Sequence, residues 1–468
     1  MWTLARGKNL RPRSLANLAS FQHPMTRSNI TFFLAVAAIV FWGGCDRAFT
    51  DVGEATIEVA FPDVTVAVTE PTILLELQVE SVRDVTRVRS REKEFSFDSA
   101  TNRWIAPLDL HKGLNQFVVE AFVDDGPTRV DTISVFHLTY THTIPTVAVS
   151  TFGTGSHTFT MSLNGGAVLV GGSYQAGVGA ALDAHILHQG ALYLVPILEL
   201  ANYPRSGHTA SELPNGRILI IGGGFLGDIQ STNELVSAVE IFEPSTATFK
   251  LIPVTGDPIR RMYHSTVIRE IDGQFFVSLL GGRGDIRYTP TPLIGIREDL
   301  RTFVLRNDSL IAVSPTIGPF IEPIAGHTQT SLTSDLPWRG SRFLVNGLRF
   351  GSTTEPTSFI MDYNSPFGIE ITKTRQMHQP RIRHASVPIA PGIVAMFGGR
   401  GEDPTDVFGT SELFVEEANM YFTLPFTITP RFGLTATRLN NNSILLFGGF
   451  DATSNALSDA DYVSLEVQ

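Results

Sequence analysis

From Ser156 onward the apolar positions fall in short blocks of four to six, each ended by glycines and headed by a polar stretch that opens on a histidine. Aligned on that histidine, the copies are SHTFTMSLNGGAVLVGGS from Ser156, GHTASELPNGRILIIGGG from Gly207, YHSTVIREIDGQFFVSLLGGRG from Tyr263, GHTQTSLTSDLPWRGSRFLVNGLRFG from Gly326, RHASVPIAPGIVAMFGGRG from Arg383 and GLTATRLNNNSILLFGGFD from Gly433. Each copy predicts two strands joined by a turn at Asn-Gly, Asp-Gly or Asn-Asn. The closing Gly-Gly predicts positive φ and close approach of a neighbouring backbone. His157 to Gly171, His208 to Gly222, His384 to Gly398 and Leu434 to Gly448 each span 14 residues, and His264 to Gly281 has 3 more. The copies recur every 51, 56, 63, 57 and 50 residues. A period near 50 points to propeller blades rather than to a helical solenoid.

Upstream, from Ala55 to Thr143, the pattern is one of spaced strands with alternation, as in Phe117, Val119, Ala121 and Val123 or Leu75, Leu77 and Val79. About seven strands in so short a stretch predict a small β-sandwich with one face of each sheet buried. Thr141 to Thr146, THTIPT, then reads as a linker. Domain limits follow: residues 51–143 for the sandwich and 146–468 for the propeller. A ring of blades closes only when its first and last units share a sheet, so DADYVSLEV near the C-terminus or the VAVS strand at Val147 is expected to complete a blade begun at the other end.

These copies resemble the kelch repeat, with Arg and His ahead of the first strand, Gly-Gly after the second, and a Tyr-Asp-Pro-like turn followed by Trp. The second copy fits best, with Phe242, Glu243 and Pro244 at the turn and Phe249 in place of Trp. Asn346-Gly347 replaces the glycine pair in the fourth copy, and Leu434 replaces histidine in the sixth. The resemblance implies an all-β chain with a six-bladed kelch-type β-propeller. NRWIAPLDLHKGLNQFVVEAFVDDG, from Asn102, resembles bacterial immunoglobulin-like modules, which implies a spacer or adhesion-type domain ahead of the propeller.

The first 45 residues stand apart. They hold five basic residues and no acid, leaving 30 basic against 46 acidic in the remainder, a net −16 that disfavours nucleic acid and anionic lipid surfaces. Ile30 to Trp42 is a 13-residue apolar run between Arg27 and Gly43-Gly44-Cys45. It is shorter than the ~20 residues of a spanning helix and has a secretory layout. Small residues before the only cysteine resemble a bacterial lipoprotein signal, which implies lipid attachment at Cys45, export and anchoring in the cell envelope. Met25 opens a segment of ordinary signal length, so residues 1–24 read as an extension of the start.

Chemistry is sparse. Five of six copies keep the histidine, at 157, 208, 264, 327 and 384. A catalytic imidazole is needed once, so repetition predicts a bridging role between blades. Arg205, Arg260, Arg381 and Arg431 recur beside them and are expected to pack and pair charges between blades. A sole thiol upstream of the repeats excludes a tyrosine–cysteine cofactor and cysteine-built zinc sites there. No Gly-x-Ser-x-Gly elbow is present, and neither catalytic residues, metal nor cofactor are expected. The segments after the glycine pairs combine charge with glycine, and they nominate Asp228, Arg283, Asp285, Arg400 and Asp403 as a common ligand-binding face. Arg283-Gly284-Asp285 spells an integrin-type tripeptide, a weak signal. The reading is an envelope-anchored binding protein for a protein or glycan partner. The alternative, implied by the resemblance, is a periplasmic sugar isomerase or mutarotase of the sialic acid epimerase type.

Overall fold

The computed structural model describes residues 55–468 except 82, 92, 124–125, 146–149, 151–152, 162–166, 177–178, 188–194, 198–199, 227–230, 286–293, 314–322, 334–339, 351–353, 364–367 and 440–442. Cys45, Met25 and Asp228 thus lie outside the described residues. The described chain is all-β, with one 3-10 turn at Thr232–Glu234.

Six four-stranded antiparallel sheets account for the repeats. Their first strands are Thr158–Met161, Thr209–Glu212, Ser265–Ile271, Thr328–Ser331, Ala385–Ala390 and Thr435–Arg438, and each touches the next in a closed cycle. The second strands are the buried ones: Ile218–Ile221 and Ile444–Phe447 expose nothing, as expected for apolar runs covered on both faces. A separate apolar cluster fills each of the six junctions between neighbouring sheets. Val168 and Ile220 meet in one, Leu219 and Val277 in the next, and Leu169 and Phe447 in the one that joins the first sheet to the sixth. The arrangement is β-propeller-like, with the first strand of each sheet at its inner edge.

The sixth sheet is completed from the other end of the chain. Its fourth strand is Thr139–Thr143, paired with Ala460–Glu466 so that His142 faces Val463. The expected linker at Thr141 to Thr146 is therefore corrected: its first half is the closing strand, and the boundary lies ahead of Thr139. TYTHT carries no apolar alternation because it is an outer strand half in solvent.

Residues 55–137 form a four-stranded and a three-stranded sheet around one core containing Leu75, Leu77, Val88, Trp104, Phe117, Val119 and Val135. Seven strands are present, but not quite the seven expected: TVAVT at 65–69 makes only single bridges at Val66 and Val68, Val85–Ser90 is a strand that was not expected, and each sheet buries alternate residues. Only Leu138 separates the last of them, Gly126–His137, from the closing strand. Ala67 N–H donates to Thr423 C=O at 2.9 Å, Thr423 N–H to Thr65 C=O at 2.7 Å, and Ala67, Phe136 and Leu138 share a core with the fifth sheet. This region is built into the repeats rather than tethered to them.

Candidate functional site

The histidines explain why the sheets meet in register. His208 Nε2 is 2.9 Å from Thr158 Oγ1 of the preceding sheet, and His264–Thr209, His327–Ser265, His384–Thr328 and His157–Thr435 repeat the contact at 2.8–3.2 Å. Each imidazole bridges two sheets, as expected, through a side-chain hydroxyl of the preceding one. It also lies over the first glycine of the preceding pair: a Cβ at Gly222 would come within 2.7 Å of His264 Cε1, and one at Gly171 within 3.0 Å of His208 Cε1. With both glycines of each pair at positive φ, any other residue there is excluded twice over. In the fourth repeat the strand Arg342–Phe350 runs on through the site, and Asn346 Oδ1 meets His384 Nε2 at 2.8 Å in compensation. Burial pushes His157, His208, His327 and His384 down to about 3, and His264 well below its usual range. They are neutral braces rather than proton carriers.

The buried arginines stand three residues before the histidine position: Arg205, Arg261, Arg381 and Arg431, all 0–1% exposed. Arg261, not the expected Arg260, occupies the third place, which the spacing from His264 requires. Nη1 of each donates to the carbonyl of the first glycine of its own sheet at 2.7–3.1 Å. Nη2 pairs with Glu240, Asp299, Glu412 or Asp461, at 2.6–3.1 Å. Pairing is thus within sheets, not between them as expected. Burial alone would raise Asp299, but hydrogen bonds from Arg297 and the charge of Arg261 hold it at about 2. The first and fourth sheets have Thr154 and Ile324 in the arginine place; there His185 and Ile360 stand where Glu240, Glu412 and Asp461 stand elsewhere, so both members of the pair are lost together.

At the axis, the residues just before the histidine position form a second ring. Gly207 N–H donates to Ser156 C=O, Tyr263 to Gly207, Gly326 to Tyr263, Arg383 to Gly326, Gly433 to Arg383 and Ser156 to Gly433, closing a cycle of six backbone hydrogen bonds of 2.6–2.9 Å. All six have φ between 53° and 66°. Glycine and a larger residue alternate strictly around the ring. For Ser156, Tyr263 and Arg383 the left-handed conformation costs about 1–3 kcal/mol each, which makes their side chains the part to explain.

Those side chains converge. Arg383 Nη2 donates to Ser156 Oγ, and its guanidinium carbon lies 4.7 Å from the centre of the Tyr263 ring and 4.8 Å from that of Phe432. The glycines make the room: a Cβ at Gly207 would sit 2.6 Å from the Tyr263 ring, and one at Gly326 3.1 Å from Arg383 Cγ. The cleft above is about 130 Å³, lined by the two rings of residues, with no aspartate or glutamate among the described residues that line it.

Of the expected face, Arg283 and Arg400 are found beside this ring. Arg283 pairs with Met262, next to Tyr263, and Arg400 bridges to Ile382, next to Arg383. The Arg400 guanidinium lies 5.0 Å from the Phe432 ring centre. Asp285 is corrected: it is 4% exposed, in a short strand paired to Ile294, so its carboxylate does not face solvent. Asp403 is exposed, and its Oδ1 accepts from Thr405 N–H at 2.9 Å and Oγ1 at 2.7 Å, the bonding of a turn. Ser156, Tyr263 and Arg383 were missed. The alternation Ser, Gly, Tyr, Gly, Arg, Gly before the histidine position was the available signal. Among the described residues, no group of three or more His, Cys, Asp or Glu could hold a metal ion.

Comparison with protein-family models gives no match to this sequence, and comparison with curated proteins gives none. In three dimensions the chain is similar to the solved structure of YjhT, with a TM-score of 0.51 and 13% identity over 68% of this chain and 98% of that one. At that identity the likeness is one of fold, and it fits a β-propeller.

Proposed function

We propose that the chain is an exported binding protein, anchored in the cell envelope through Cys45. In this reading a six-bladed kelch-type propeller, preceded by an immunoglobulin-like module, presents the end carrying Arg283, Arg383 and Arg400 to a protein or glycan partner. The module acts as a rigid mount, a role supported by the single residue between its last strand and the closing strand. A propeller fold serves the sugar mutarotase alternative equally well, so the decision rests on the axial cleft.

That cleft is the observation that favours binding over turnover. About 130 Å³ is well below the ~300–1,000 Å³ of small-molecule sites, and among the described residues no carboxylate lines it to shuttle a proton on a sugar ring. Partner capture from envelope extract by the exported chain, lost on reversal of charge at Arg283 and Arg400 together, is the expected result. Catalysed mutarotation of a free sugar, followed by NMR, would overturn the reading in favour of the isomerase.

A further inference from the structure

The ring residues Ser156, Tyr263 and Arg383 hold the left-handed backbone conformation that glycine fills in the other three repeats. Their side chains are not needed to close the ring, because the cycle of hydrogen bonds is made by backbone alone. What they add is a guanidinium held at a fixed place on the axis. Ser156 Oγ fixes one nitrogen, and the Tyr263 and Phe432 rings support its faces.

This cation is left with donors to spare. Among the described residues Arg383 has no ion pair, in contrast to Arg381 two residues earlier, and its Nε is buried without a partner. The surrounding chain, past its first 45 residues, carries net charge −16, yet no acid is among the described residues that line the cleft. A half-buried guanidinium in an acid-free cleft focuses a positive potential on a small volume.

We propose that Arg383 is a carboxylate-recognition residue, and that the ligand enters this cleft end-on by an acid group while its body remains outside. The volume favours that geometry, since about 130 Å³ has room for a carboxylate and for little of the body behind it. A planar, charge-assisted arginine–carboxylate pair is the natural complement. The inference rests on the binding reading given above, and it names the chemistry of the partner at the same end of the molecule.

The full exported chain is titrated calorimetrically with glucuronate and with N-acetylglutamate, against glucose and N-acetylglutaminamide, in which both carboxyl groups are amides, as uncharged counterparts. Binding of either acid and of neither neutral compound is expected, and the acid preferred tells a sugar source from a peptide source. Arg383→Gly should weaken that binding roughly ten- to hundred-fold, the loss of a hydrogen bond to a charged group. Its fold should hold, because glycine already serves at this place in Gly207, Gly326 and Gly433. Arg383→Gln, which keeps the backbone strain and removes only the charge, gives the same loss if charge is the cause. No acid binding by the parent, or parental binding by both variants, overturns the proposal. Capture of an envelope partner that persists in Arg383→Gly overturns it while leaving the binding reading intact. Acid binding accompanied by catalysed mutarotation does the reverse.

Discussion

Leu434 of the sixth sheet shares an apolar cluster with Ala385 of the fifth, at the one junction of the six where a histidine and a hydroxyl are both missing. Elsewhere the imidazole bonds to the residue after the preceding sheet's own histidine position, a threonine or serine each time. Leu434 takes the imidazole's seat, since a Cβ at Gly398 would lie 3.0 Å from its Cδ2. A polar pair has been exchanged for an apolar one, with both members changed.

Restoring one member alone should therefore destabilise the chain. Leu434→His buries an imidazole beside an alanine methyl and is expected to cost about 1–3 kcal/mol, the penalty of an unsatisfied buried polar group. Adding Ala385→Thr should recover most of it. A double-mutant cycle in urea with no coupling between the two positions would contradict the pairing.

Acid should unfold the protein steeply. An unfolded histidine titrates near 6.5, whereas burial holds four of these at about 3 in the fold and His264 well below 6.5. The unfolded chain binds more protons below 6.5, so stability complete above that pH is lost as the pH falls toward 3. Each histidine lowers the folding constant about tenfold per pH unit in that window. The paired change His157→Leu with Thr435→Ala, which copies the sixth junction, should reduce the proton uptake on unfolding by about one. Urea midpoints between pH 7 and 4 with an unchanged slope would argue against it.

Breaking a buried arginine pair should cost more than breaking a surface one. Glu240→Ala leaves Arg205 charged and enclosed, for an expected loss of about 3–5 kcal/mol. Lys250→Ala removes the exposed partner of Asp308 and should cost about 0–1 kcal/mol. Calorimetric melting of the two variants side by side gives the comparison.

Deleting Asp459 to Gln468 removes the strand that holds Thr139–Thr143 in the sixth sheet. It exposes the edge of Ile444–Phe447 and part of the apolar cluster around Val463, so aggregation or a melting temperature at least about 10 °C lower is expected. A truncated chain that melts like the parent would contradict closure at this sheet.

Much of this architecture was legible because every repeat solves the same backbone problem with the same residues. Paired glycines, the histidine and the strand-turn-strand pattern recur since each does a local job. The arginine place was nearly legible: Arg205, Arg381 and Arg431 fix the offset, and Arg261 follows from it although Arg260 stands beside it. Asp285 misled because charge beside glycine reads as an exposed turn, whereas pairing on both sides of Arg283–Asp285 covers it. The closing strand was illegible as a strand, its partner lying more than 300 residues away. The axial side chains were visible only as an alternation whose meaning depends on φ.

The six-membered cycle at the axis uses every N–H and C=O of its own members on one another. No main-chain group of those six residues is left over for a visitor. Whatever the axis recognises, it reads with three side chains set on a frame that would close without them. Selectivity and integrity are thereby uncoupled: the lock can be recut at Ser156, Tyr263 or Arg383 while the door stays hung.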